Sequence, residues 1–307
     1  MMQVLSPDVA AALVSGLFGL IVGSFANVVI YRLPLEQSIV FPASRCPRCL
    51  TAIKPWQNVP VFSWIFLRGR CASCGAPISF RYPVVEAIHG LGFASVVLTF
   101  GLSPFTPVLL LFFFALVVLA FIDWDHQILP NRITLSMTAI GLASSLVPGS
   151  LVSWRQSLFA AALGYLSFFV VAEGYARLRG IEGLGMGDWK LAAMVGAFLG
   201  AQHLLLVVFL GSLSGMVYGL TQALRQRRAL AAEAAVPELP AVADGAPVEP
   251  APAGSQPDPA SAPEAEPELT PIGLYRLPFG TFLAAAAVFV LFLGDRVLIW
   301  YSGFFRS

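Results

Sequence analysis

The sequence predicts an all-α polytopic membrane protein of about eight transmembrane helices, with a small zinc-ribbon-like cytoplasmic loop between the first two. Three observations carry that prediction. Of the 307 residues, 57% are hydrophobic and only 11% are charged, whereas a soluble domain carries about 25% charged residues. Apolar runs recur along the chain at lengths suited to the ~30 Å hydrocarbon layer of a bilayer. Four cysteines, grouped as two CxxC pairs, fall in the one sizeable polar stretch that precedes the helical core. The net charge of +1 gives no basic surplus that would argue for a nucleic-acid partner. The partner that composition does imply is membrane lipid.

The first apolar run covers 10–31. No Lys or Arg precedes Arg32 and the run is too long for a signal core, so it reads as a retained helix rather than a cleaved leader. Further runs lie near 84–101, 104–122, 133–148, 156–176, 189–201, 203–224 and 278–303, the fourth and sixth of the eight being short. Residues 229–275 hold ten prolines and eight Asp or Glu with no Lys or Arg. Such a stretch buries too little apolar surface to offset its ordering entropy, so a disordered cytoplasmic linker is expected there. The chain thus divides into an N-terminal region, 10–101, containing the loop 32–83; a helical core, 104–224; the linker; and a last helix within 276–305. Threading eight spans puts 15 of the 18 Lys and Arg on one side, which the positive-inside rule makes cytoplasmic.

The loop reads CPRC, then a further stretch, then CASC, with Cys46 and Cys49 paired and Cys71 and Cys74 paired. Two such knuckles match the pattern in which four thiolates close a tetrahedron around zinc. In a reducing cytoplasm the alternative, disulfides, is disfavoured. Four thiolates leave no open coordination position, so the ion would be structural.

Asp123 lies at the end of the third apolar run, and Asp188, the last residue of GLGMGD, lies directly before the sixth. Ionisable groups at membrane depth cost ~3 kcal/mol or more near the centre and mark function or a buried partner. One out-and-back hairpin of spans separates the two, so both return to the same side. Close carboxyls resist holding two charges and share a proton; one can then donate to a carbonyl while the other deprotonates water. That is the chemistry of peptide hydrolysis by an acid pair. Gly183, Gly185 and Gly187 would let the backbone take φ > 0 and approach a substrate strand. Asp125 competes with Asp123, but residues two apart on a helix point ~200° apart, and Asp123 lies deeper. Asp125 and His126 are read as interfacial helpers, His89 and His203 as structural, Glu173 as buried in span five, and Glu182 as a neighbour of Asp188. A proton-coupled transporter is an alternative, but it calls for carboxylates near mid-bilayer. A non-enzymatic scaffold docking partners through its zinc loop is another.

The ordered segments GSFANVVIYRLP, CPRC, NVPVFSW, RGRCASCGAPIS, RYPVVE, FIDWDHQILPN, GLGMGDWKLAAMVGAFLG and RLPFGTF resemble those of the bacterial type IV prepilin peptidases. These are leader peptidases and N-methyltransferases of the GxGD aspartyl protease class. The resemblance spans nearly the whole chain except 229–275. It implies that Asp123 and Asp188 are the catalytic pair, with Gly185 and Gly187 positioning the substrate, and that Cys46, Cys49, Cys71 and Cys74 hold zinc. It implies an inner-membrane enzyme with its active site facing the cytoplasm. Its substrate would be the basic leader of a type IV prepilin or a type II secretion pseudopilin, cut after Gly. The new N-terminus would be methylated from S-adenosylmethionine by the N-terminal half, with Ser24, Asn27, Arg81 and Glu86 as candidates to place donor or substrate. A peptidase without the methyltransferase activity is the variant reading. Two departures from the family pattern are the long 229–275 insertion and Thr281, which stands where a second proline is common; little consequence is expected of the latter.

Overall fold

The computed structural model describes residues 7–180, 185–234 and 277–304. Among the described residues there are eight α-helices and no β-strand, only two isolated bridges. The helices are α1 (Pro7–Arg32), the five-residue α2 (Phe62–Phe66), α3 (Arg81–Phe100), α4 (Thr106–His126), α5 (Asn131–Ser144), α6 (Trp154–Arg179), α7 (Met186–Ala234) and α8 (Phe279–Phe304). Apart from α2, which lies in the cysteine loop, each falls on a predicted apolar run.

Six helices are long and apolar enough to cross a membrane. Two features reconcile that number with the eight predicted runs. With 14 residues, α5 is only about 21 Å long, short of the ~30 Å core. Helix α7 is two helices: its 49 residues contain one non-helical position, Gly200, at φ 80° and ψ 173°. A straight helix would hold Asp188 and Gly215 about 40 Å apart. Both instead lie at one end of the bundle. Asp188 interacts electrostatically with Asp123, Asp123 is bonded to Thr281, and a Cβ on Gly215 would sit 3.5 Å from the ring of the adjacent Phe282. Near the other end of α8, His203 Nε2 pairs with Asp295 Oδ1 at 3.0 Å. The chain therefore reverses at Gly200, in a backbone conformation that a residue with a Cβ rarely adopts.

The core lies where α4, the first arm of α7 and α8 meet. Phe112 stacks on Phe198 with centroids 4.1 Å apart, and Leu116, Met194 and Leu283 are fully buried around them. Helix α6 packs on the first arm of α7 at backbone contact: a Cβ on Gly196 would lie 2.4 Å from the Ala160 carbonyl oxygen. Ser157 Oγ donates to the Ala197 carbonyl at 2.7 Å across the same seam. Small residues and hydroxyls of this kind bind helices where lipid removes any hydrophobic advantage of contact.

Residues 229–234, which composition assigns to the linker, are helical and extend α7; the rest of that stretch lies outside the described residues. Met216–Leu277 form a second compact unit. Its described part is helical, with Gln222 Nε2 donating to the Tyr218 hydroxyl at 2.9 Å.

Gly196→Ala is expected to destabilise the bundle by about 1–3 kcal/mol, as overpacking against rigid backbone does, and to lower the thermal midpoint in detergent. Gly174→Ala, where a Cβ would meet nothing within 4 Å, should leave that midpoint unchanged.

Candidate active site and metal centre

Asp123 stands in the last turn of α4 and Asp188 in the first turn of α7. Both are buried, at 5% and 7% exposure, and the charge on one acts on the other. Asp123 Oδ2 accepts the backbone N–H of Thr281 at 2.6 Å and faces the Thr281 hydroxyl at 3.0 Å. That hydroxyl also lies 3.0 Å from the Ala120 carbonyl oxygen. Thr281 belongs to the first turn of α8, whose N–H groups have no preceding carbonyl in the helix and whose dipole favours a nearby anion. Gly280 makes the approach possible, since a Cβ there would lie 3.0 Å from Asp123 Cγ. Helix α7 is held from its other side by Lys190 Nζ, which donates to Asn131 Oδ1 of α5 at 2.7 Å.

One leucine links the two halves of the site. A Cβ on Gly187 would meet Leu129 Cβ at 2.8 Å, and one on Gly280 would meet Leu129 Cδ1 at 2.8 Å. Gly187 is thus required for a different reason from the one expected. It lies within α7 and, like Gly185, has no positive φ; what it provides is room for Leu129. Gly183 and Glu182 lie outside the described residues.

Asp125 faces another way. Its Oδ2 pairs with Arg81 Nη1 at 2.6 Å, while the Arg81 guanidinium lies 4.9 Å over the Phe121 ring. Glu86, buried in α3, accepts the Val61 amide at 2.7 Å and a hydrogen bond from Ser24. Asn27 Nδ2 donates to the Gly23 and Tyr82 carbonyls at 3.3 and 3.2 Å. Ser24, Asn27 and Glu86 therefore tie α1, α3 and the cysteine loop together. Glu173 is not buried as expected: it is 41% exposed and pairs with Arg177 one turn on, at 2.9 Å. His89 is wholly buried, with Nδ1 on the Val85 carbonyl at 2.8 Å.

The four cysteines are unbridged. Their sulfurs all lie within 4.8 Å of one another, with Cys46 and Cys74 at 3.8 Å. A tetrahedron of thiolates at ~2.3 Å from zinc has edges of ~3.8 Å, so the donor set fits that ion. The two knuckles are copies of one fold. In the first, amides of Cys46, Leu50 and Ile53 donate to Thr51, Cys46 and Ser44; in the second, those of Cys71, Gly75 and Ile78 donate to Ala76, Cys71 and Gly69. An isolated bridge closes each, Arg45 with Ala52 and Arg70 with Pro77. Both turn through positive φ, at Leu50 (57°) and Gly75 (71°). Donors act on the sulfurs unequally: against the Ala76 amide, the neighbouring thiols of Cys49, Cys71 and Cys46 push Cys74 up to about 11, while hydrogen bonds from the Thr51 hydroxyl and amide bring the Cys49 thiol down to about 6. The amides of Cys74 and Ser73 lower Cys71.

Residues 17–100 match the bacterial peptidase A24 N-terminal domain, and residues 110–220 match the type IV leader peptidase family. The prepilin leader peptidase/N-methyltransferase of Myxococcus xanthus is 44% identical over 211 residues, which are 69% of this chain and 63% of that protein. The protein of the same name from Stutzerimonas stutzeri is 33% identical over 98% of this chain and 97% of its own. That of Neisseria gonorrhoeae is 38% identical over 70% and 83%. No solved structure matches the chain.

Cys71→Ser is expected to abolish stoichiometric zinc in the purified protein, measured by elemental analysis, because three thiolates and a hydroxyl hold the ion far less well. Zinc content equal to the wild type would overturn the four-thiolate centre.

Proposed function

The chain belongs to the type IV leader peptidase family, and we propose that it cleaves the leader of prepilins or pseudopilins with Asp123 and Asp188 as its catalytic pair. The observation that carries this reading is the meeting of two buried acids from the end of α4 and the start of α7. Helix ends are also where a leader crossing from water into lipid would present its scissile bond. A proton relay through the membrane would instead call for acids midway along their helices.

The pair carries one proton between two carboxyls. The ionised member takes a proton from a water molecule as that water attacks the scissile carbonyl carbon, and the protonated member donates to the carbonyl oxygen. As the resulting diol collapses, one of its hydroxyl protons returns to the carboxylate that had donated, the C–N bond breaks, and the proton gained from water passes from the other acid to the leaving nitrogen. Both acids end as they began. Thr281 positions Asp123: its N–H donates to Oδ2, and its hydroxyl lies 3.0 Å from both that oxygen and the Ala120 carbonyl oxygen, which leaves Oδ1 free of Thr281. The excess of Lys and Arg on the same side supports a cytoplasmic site in a bacterial inner membrane.

Cleavage and N-methylation appear together in the names of the three relatives, and this chain is assigned both. S-adenosylmethionine would supply the methyl group. Ser24, Asn27 and Glu86 are engaged in ties between helices and loop, which supports a scaffolding role for them rather than contact with that donor. Zinc, held by the two knuckles, would fold the loop that Glu86 anchors.

Co-expression with a prepilin should show leader removal lost, by ~10²-fold or more, for Asp123→Asn and for Asp188→Asn, in keeping with the loss of an acid–base group. Asp125→Asn should keep part of the activity; cleavage at the wild-type rate by Asp188→Asn, read by gel shift, sinks the assignment. Thr281→Val removes one donor to a charged acceptor, worth about 1.5–3 kcal/mol, so kcat should fall by ~10–100-fold with KM little changed. Thr281→Ser, which keeps both donors, should restore kcat.

A further inference from the structure

The segment 55–67 carries an apolar surface that neither the acid pair nor the zinc centre uses. A 3-10 turn, Pro55–Gln57, and α2 form one groove of about 420 Å³, lined by Trp56, Val59, Phe62, Phe66 and Leu67 with Gln57 and Ser63. Trp56 is 68% exposed and Phe66 82%. Aromatic side chains gathered on one exposed face mark an interaction surface.

The depth of that surface is fixed by one bond. The Val61 amide donates to Glu86 Oε2 at 2.7 Å, and Glu86 lies about 7.5 Å along α3 from Arg81. Helix α3 is itself long and apolar enough to span. The groove therefore lies level with the first turns of a transmembrane helix, at the headgroup layer, and not out in the solvent. Cations stand at both ends: Lys54 Nζ lies 5.4 Å over the Trp56 ring, and Arg68 follows Leu67 directly. Between α1 and α3 the loop holds Arg45, Arg48, Lys54, Arg68 and Arg70 against the one acid Glu36. Aromatic rings at headgroup level flanked by basic side chains suit an anionic bilayer surface, and the positive charge repels a basic peptide.

We propose that residues 55–67 are a membrane-interface anchor, inserting Trp56, Phe62 and Phe66 among the headgroups of the surrounding bilayer and holding anionic lipid through Lys54 and Arg68. The anchor fixes the height of the zinc loop over the membrane independently of peptide cleavage.

The test uses the full chain in vesicles of brominated phosphatidylcholine, with and without phosphatidylglycerol, and reads Trp56 as the difference between wild type and Trp56→Phe. The Trp56 emission should be quenched by the brominated chains and shielded from aqueous iodide, with at least a twofold stronger quenching when phosphatidylglycerol is present. Lys54→Gln with Arg68→Gln should remove that dependence. Quenching by iodide alone would show a face open to water and overturn the proposal. Protection from both quenchers would show a protein cover, a second copy or a substrate, and would equally overturn it. Phe66→p-benzoylphenylalanine provides an independent reading: photolysis should yield lipid adducts, and protein adducts alone would refute the anchor. Retained zinc in each variant establishes that the loop is folded.

Discussion

Two carboxyl groups held next to each other beside a hydrocarbon layer are the costliest feature of this chain, and most of the surrounding architecture serves to keep them there. Charge repulsion and loss of hydration both favour separation. Opposing them are a hydrogen-bonding helix end, contributed by α8 at Thr281, and the Lys190–Asn131 bond that fixes the start of α7. Leu129 fills the space between Gly187 and Gly280. Glycine at both positions is a requirement of distance: a Cβ on Gly187 would strike Leu129, and one on Gly280 would strike Leu129 and the Asp123 carboxyl.

The cysteine loop solves a separate difficulty. It must stay folded while presenting little core of its own: Cys46 and Ala76 are the buried hydrophobic residues between α1 and α3. A four-thiolate ion would replace the missing core, and paired knuckles with the same hydrogen-bond offsets bring the four sulfurs together from two short turns. Glu86 then fastens the folded loop to the helices by the Val61 amide. Loop and bundle form one connected structure, with Trp64 Nε1 on the Ile78 carbonyl at 3.1 Å bracing the loop from within.

Much of this was legible in the sequence, because apolar length and cysteine spacing are local signals. Each predicted run holds a helix, and the four thiols converge as the CxxC pairs imply. Even the reversal at Gly200 left a trace, as the break between the runs 189–201 and 203–224. What stayed hidden depends on groups that meet across long separations. Thr281 looked inconsequential, yet its two donors reach an acid 158 positions earlier; a backbone N–H has no signature in a one-letter code. Leu129 reads as one more aliphatic residue, and its wedge role follows only from what surrounds it. Glu173, placed inside the membrane by its apolar neighbours, turns outward to Arg177 because a helix face cannot be assigned from composition alone. Gly187 was expected to supply a positive φ, and what it supplies is clearance for Leu129.

The order of synthesis gives the Thr281 contact a temporal meaning. Both acids are in the chain once residue 188 is made, while the helix that steadies Asp123 begins only at Phe279. A nascent or prematurely terminated chain can therefore carry the complete acid pair and still lack its brace. The contact that steadies Asp123 is made only after translation has passed the proline-rich stretch and the closing helix has packed against α4.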